Sequence, residues 1–199
     1  MSTLKELIRE NPVHERKLDI QTYPLENGQV VVEGWLRDER RTSGYNRDGR
    51  PRPPGVVHWM CVRLLLGGRP ITILEAEAEM PTVPNSLCPT VAETVKKIVG
   101  LPIVAGFSDQ VRKKLYGVEG CSHLMHLILA MGPAGPHGYW ANQARRPLTI
   151  PDSFEETPNL EYLINSCQLW REDGPLIRQF REALKKSNNG RGFPQSQMK

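Results

Sequence analysis

The chain has 199 residues, 24% of them charged and 39% apolar, with a formal net charge of +4. Those values exclude a disordered or low-complexity polypeptide and suit one domain with a packed core plus extensions. No apolar run reaches the roughly 20 residues that a membrane span needs. Residues 2–8 lack the basic start and apolar core of a signal peptide, so a cytoplasmic protein is expected.

In chain order, residues 1–28 read as an irregular N-terminal arm, broken by Pro12, Pro24 and Gly28. A core domain is expected over 29–131. Its first strand is Val30 to Leu36, rich in β-branched and aromatic residues. The stretch 41–55 reads as a long loop with Pro, Gly and Arg. A solvated loop is the plain reading, and attraction of phosphates or acidic substrates the functional one.

Val56 to Leu66 forms a second strand, Gly67-Gly68 a hairpin turn, and Pro70 to Met80 a third strand. Leu74, Ala76, Ala78 and Met80 alternate with Glu75, Glu77 and Glu79, which predicts one buried and one wet face. His58 shares the apolar face of the second strand with Met60, Val62 and Leu64.

Helices are expected over 89–99, with Pro in the first turn, over 108–116 with Ser108 as N-cap, and over 121–131. The Gly/Pro-rich 132–157 stretch reads as a lid loop. C-terminal helices are expected within 158–187 (roughly 158–171 and 174–187), and 188–199 reads as a disordered tail. Three antiparallel strands followed by helices on one face make an α+β fold with extra C-terminal helices.

The four cysteines, Cys61, Cys88, Cys121 and Cys167, are widely spaced, which points to free thiols or ligands rather than disulfides. Cys88 and Cys121 each precede a predicted helix, where a thiolate is favoured. His123 and His126 lie three apart, off the stripe of Leu124, Leu127, Ile128 and Met131. On a regular helix Cys121 and His123 would point about 200° apart. They converge only if Cys121 stays in the pre-helical turn. Cys61 faces away from His58 on its strand, and Cys167, beside Leu163 and Ile164, reads as packing. His14 and His137 fall in predicted loops.

A set of short motifs carries a resemblance: His14-Glu15-Arg16, Glu33-Gly34-Trp35-Leu36-Arg37-Asp38, Val57-His58-Trp59-Met60, Cys88-Pro89, Val99-Gly100-Leu101-Pro102-Ile103 and Gly120-Cys121-Ser122-His123-Leu124. In this order and spacing, residues 14–131 resemble a bacterial family known only as a domain of unknown function. That family usually has His-Asp at His58-Trp59 and Glu at His126. A more distant likeness is to iron–sulfur scaffold proteins of the IscU/NifU type. It implies a three-stranded meander and matches Cys88 and Cys121 to two scaffold cysteines; the first scaffold cysteine has no counterpart.

The expected function is a metal-dependent hydrolase or lyase. His58, Cys88, Cys121 and His123 would hold one divalent ion, zinc before iron, with no organic cofactor. His126 and His123 would do acid–base work. Tyr139, Trp140 and Arg145 of the lid would bind a small aromatic or acidic substrate. The alternatives are a metal or iron–sulfur cluster carrier, and a metal-free enzyme with a cysteine nucleophile. No membrane or nucleic-acid partner is expected, and a homo-oligomer is compatible with the sequence.

Overall fold

A computed structural model describes residues 3–147, 151 and 153–188. Its main sheet is antiparallel and contains four strands: β1 (His14–Pro24), β2 (Val30–Arg40), β5 (Gly55–Gly67) and β6 (Thr72–Thr82), in the order β1-β2-β5-β6. A small hairpin, β3 (Gly44–Tyr45) paired with β4 (Pro51–Arg52), fills the segment between β2 and β5.

The α+β class stands, with one strand more than expected in the main sheet and the small hairpin in the predicted 41–55 loop. All of β1 falls in the predicted irregular arm. Its residues are mainly polar and half-buried or exposed, so it shows little of the alternation that marks an inner strand. It is an edge strand held by backbone pairing, from His14 opposite Arg40 to Pro24 opposite Val30.

On β2, Val30, Val32, Gly34, Leu36 and Asp38 form one inward row. Gly34 lets a helix approach closely: a Cβ there would stand 2.7 Å from Met131 Sδ. On β6 the expected alternation breaks at Leu74. The register with β5 shifts between Leu65 and Leu66, so Leu66 pairs with Ile73 and Leu65 with Glu75. Ile73 and Ala76 are buried as a result, while Leu74 is exposed.

The segment Cys88–Ile98 is a 3₁₀ helix. It is followed by α1 (Phe107–Leu115), whose N-cap is Gly106 rather than Ser108. Helix α2 spans Ser122–Gln143. The predicted lid loop is therefore helical over its first dozen residues, despite Pro133 and Pro136 within the helix. Packing overrides propensity here. Gly132, Gly135 and Gly138 face Phe107, Leu66 and Thr22 so closely that a side chain at any of them would collide. The small residues let the helix lie down on the sheet, and that contact offsets the helix-breaking residues.

One core joins the inward row of the sheet to Val95, Ile98, Phe107, Val111, Leu115, Leu124, Leu127, Ile128 and Met131. The predicted 158–171 helix shrinks to a single turn, α3 (Leu160–Leu163), and α4 (Pro175–Asn188) follows. Phe154, Leu160, Ile177 and Leu184 make a second, smaller cluster beneath them. The predicted tail at 188–199 lies, beyond Asn188, outside the described residues. No helix among the described residues is long and apolar enough to cross a membrane.

Candidate functional site

Arg16, Asp38 and His58 sit side by side across three strands, since Arg16 pairs with Asp38 and Asp38 with His58. Immediately beyond, the register of β2 and β5 slips, so that Glu39 faces Val56 and Val57 is the extra residue. A bulge at a sheet end re-aims side chains next to it. Helix α2 brings His123 over this corner from its first turn.

Asp38 is the buried centre, only 2% exposed. Arg16 donates to both its oxygens, Nε to Oδ1 and Nη2 to Oδ2, each at 2.6 Å. His58 Nδ1 lies 2.9 Å from Oδ2. His123 Nε2 is 3.9 Å from Oδ2, and His14 Nε2 is 3.6 Å from Oδ1. The His58 and His123 rings face each other with centroids 3.9 Å apart. Cys121 Sγ stands 3.8 Å from His123 Nδ1.

The electrostatics follow from these contacts. The Arg16 hydrogen bonds outweigh burial and, with the Arg16 charge and His58, hold the Asp38 carboxyl below the usual range. Asp38 therefore stays an anion. Burial, and then the charges of His58 and Arg16, hold the His123 imidazole below its ordinary value, although Asp38 pulls the other way. A neutral imidazole keeps the lone pair that a metal requires.

A cavity of about 560 Å³ opens onto this corner, lined by His14, Arg16, Asp38, His58 and His123 together with Arg40, Thr42, Ser43 and Arg52. The 41–55 segment thus forms one wall.

The expected site residues divide into three groups. His58 and His123 meet, and Cys121 flanks His123. Cys121 is the N-cap of α2 with extended backbone, φ −110° and ψ 126°, which is the pre-helical position that convergence required. Cys88, half-buried at the start of the 3₁₀ helix, is neither in the Asp38/His58/His123 cluster nor in the cavity lining. His126 is exposed and also outside the lining.

Tyr139, Trp140 and Arg145 do not close over the histidines. Tyr139 is sixteen residues along α2 from His123, about 24 Å on a regular helix. These three line a separate cavity beside the β1–β2 turn. Cys167, expected to pack, is exposed, whereas Cys61 is buried.

Sequence reasoning missed Asp38, Arg16 and His14. A signal was present: Asp38 continues the inward row of Val32, Gly34 and Leu36, and a carboxylate on a buried row demands a partner. His14 and Arg16, two apart, share a face once β1 is recognised as a strand.

The sequence pattern of the family described as Protein of unknown function (DUF2889) matches residues 14–135. The chain belongs to that family. The matched span of this DUF2889 protein begins at His14 and contains Arg16, Asp38, His58, Cys121 and His123. No curated protein and no solved structure matches the chain, so the IscU/NifU likeness finds no support.

Proposed function

We propose that the chain is a metal-dependent enzyme, of hydrolase or lyase type, that holds one divalent ion with Asp38, His58 and His123. The observation that carries this reading is their convergence: one ligand atom from each lies within 4.8 Å of the others. Around a single ion with bonds of about 2.1 Å, neighbouring ligand atoms stand about 3.0–3.4 Å apart. The separations of 2.9 and 3.9 Å from Asp38 Oδ2 bracket that spacing. Two imidazoles and a carboxylate suit zinc or iron(II), and three protein ligands leave positions for substrate.

The ion would supply Lewis acidity, and the protein holds its own groups ready for it. Arg16 keeps Asp38 ionised and fixed in orientation. A carboxylate has about four lone-pair sites. The two Arg16 bonds and the His58 bond occupy three, and the His58 bond is the one an ion would replace. Cys121 stands beside His123 as an outer partner of that ring.

The test is elemental analysis of untagged protein purified without added metal, alongside His58→Ala, His123→Ala and Cys88→Ser. We expect near one zinc or iron per chain, lost in both histidine variants and kept in Cys88→Ser. Well-folded protein that takes up neither zinc nor anaerobic iron would end this reading.

A second reading rests on the Cys121–His123 contact of 3.8 Å: a metal-free enzyme in which His123 serves as base to a Cys121 nucleophile. Chelators then leave activity intact while alkylation of Cys121 abolishes it.

A further inference from the structure

We propose that the cavity beside Asp38, His58 and His123 binds a small organic oxyanion, a carboxylate or a phosphate, through Arg40 and Arg52. This names the substrate class of the site just described and rests on that reading for its catalytic meaning, though not for the binding itself.

Charge is the first argument. The cavity is lined by three arginines, Arg16, Arg40 and Arg52, and a single carboxylate, Asp38. Arg16 and Asp38 neutralise each other through their paired hydrogen bonds. Among the described residues neither Arg40 nor Arg52 forms an ion pair, although neighbouring arginines do: Arg37 and Arg41 hold Glu39, and Arg50 holds Asp48. The wall facing the histidines therefore carries two uncompensated positive charges.

Hydrogen bonding is the second. The Arg40 side chain is fixed, since Nε and Nη2 both donate to the Pro53 carbonyl, at 3.1 and 2.7 Å. Its Nη1 is buried and has no hydrogen-bond partner among the described residues. A buried donor without an acceptor is rare, and this one belongs to a residue that lines the cavity. Guanidinium forks match the planar face of a carboxylate or the oxygens of a phosphate.

Size and placement complete the case. About 560 Å³ falls within the range of small-molecule sites. Thr42 and Ser43 add hydroxyl donors to the same wall. An oxyanion held by Arg40 and Arg52 would leave the rest of the molecule facing the carboxylate and the imidazoles. The loop that supplies Arg52 is thus a recognition element.

The test is calorimetric titration of the full chain with inorganic phosphate and, separately, with succinate. Ionic strength is fixed with sodium chloride, and both EDTA-stripped and zinc-treated protein are used. We expect at least one of the two anions to bind, and the arms show which. Arg40→Gln and Arg52→Gln should each weaken binding about tenfold or more, whereas Arg47→Gln, an exposed arginine of the same loop outside the cavity lining, should not. Arg40 also braces Pro53, so if Arg40→Gln fails to fold, Arg52→Gln decides alone; its side chain makes no hydrogen bond among the described residues.

Wild-type protein that binds neither anion at millimolar concentration, or Arg52→Gln that binds as tightly as wild type, overturns the proposal. Anion binding by protein that takes up no metal would keep this inference and end the metal reading. Metal uptake without anion binding would do the reverse.

Discussion

Cys61 is fully buried on the outer face of the sheet, and burial pushes its thiol up to about 12. Thiolate is the reactive form, so at pH 8 Cys61 is protonated as well as inaccessible. Titration of native protein with a thiol reagent at pH 8 should modify the exposed Cys167 first, then the half-buried Cys88 and Cys121, and Cys61 only after denaturation. Early labelling of Cys61, located by peptide mapping, would show that its strand opens readily. At this scale the sequence was half legible. His58, Cys121 and His123 stood out because thiols and imidazoles are scarce and chemically conspicuous. Asp38 did not, because one acid among 22 acidic residues signals nothing until its strand row is known to be buried. Cys88 misled for the opposite reason: a cysteine before a helix looks reactive whether or not anything converges on it.

On the sheet's outer face Arg63 gathers Glu33, Glu77 and Glu79 from the strands on either side, with contacts of 2.6, 3.2 and 2.5 Å. Partial burial pushes the Glu33 carboxyl up, but hydrogen bonds from Arg63 and Trp35 and the Arg63 charge outweigh it and leave it below its ordinary value. A carboxyl lowered in the folded state adds stability above its unfolded value, about 4.3, and that contribution fades as pH falls through the folded value. Glu33→Gln should therefore cost about 1 kcal/mol at pH 7 and close to nothing at pH 2, read from urea midpoints at both pH values.

Helix α2 supports a sharper test. A Cβ at Gly132 would stand 2.6 Å from the ring of Phe107, which is itself buried. Valine there gains only about 0.4 kcal/mol in helix propensity over glycine. Overpacking costs about 1–3 kcal/mol. Gly132→Val should thus lower stability by about 2 kcal/mol, measured by denaturant unfolding. The same glycines explain why this stretch reads as a loop: their effect depends on what lies across from them, and a sequence does not show that. Strand β1 escaped notice for a related reason, because a polar edge strand draws its stability from backbone pairing that leaves no hydrophobic rhythm. The inner strands and α4 were legible because burial on one face writes such a rhythm.

At the scale of the whole molecule, the described residues form two apolar clusters of unequal size, the large one between sheet and helices and a small one under α4. Polar contacts that join the two regions include the Ile71 amide donating to the Tyr162 hydroxyl and Asn159 donating to Gln143. Local opening tracks local burial. Amides of α4 should exchange with deuterium well before those of β2 and β5 under native conditions; equal protection, measured by exchange mass spectrometry, would show a single cooperative unit. The α+β class was legible at this scale because strands precede helices along the chain. The separation of Tyr139 and Trp140 from the histidines was not, since it depends on α2 running unbroken past Pro133 and Pro136.

Asp38, His58 and His123 come from β2, β5 and α2, three segments far apart along the chain. Whatever bridges them fastens helix to sheet and closes a long loop of chain. The unfolded polypeptide offers no such arrangement, so occupancy and folding are thermodynamically linked. A ligand at a hundred times its dissociation constant would raise unfolding free energy by about 2.7 kcal/mol. The corner where this protein would do its chemistry is also a clasp. A rise in melting temperature on adding an ion would report the site before any substrate is known.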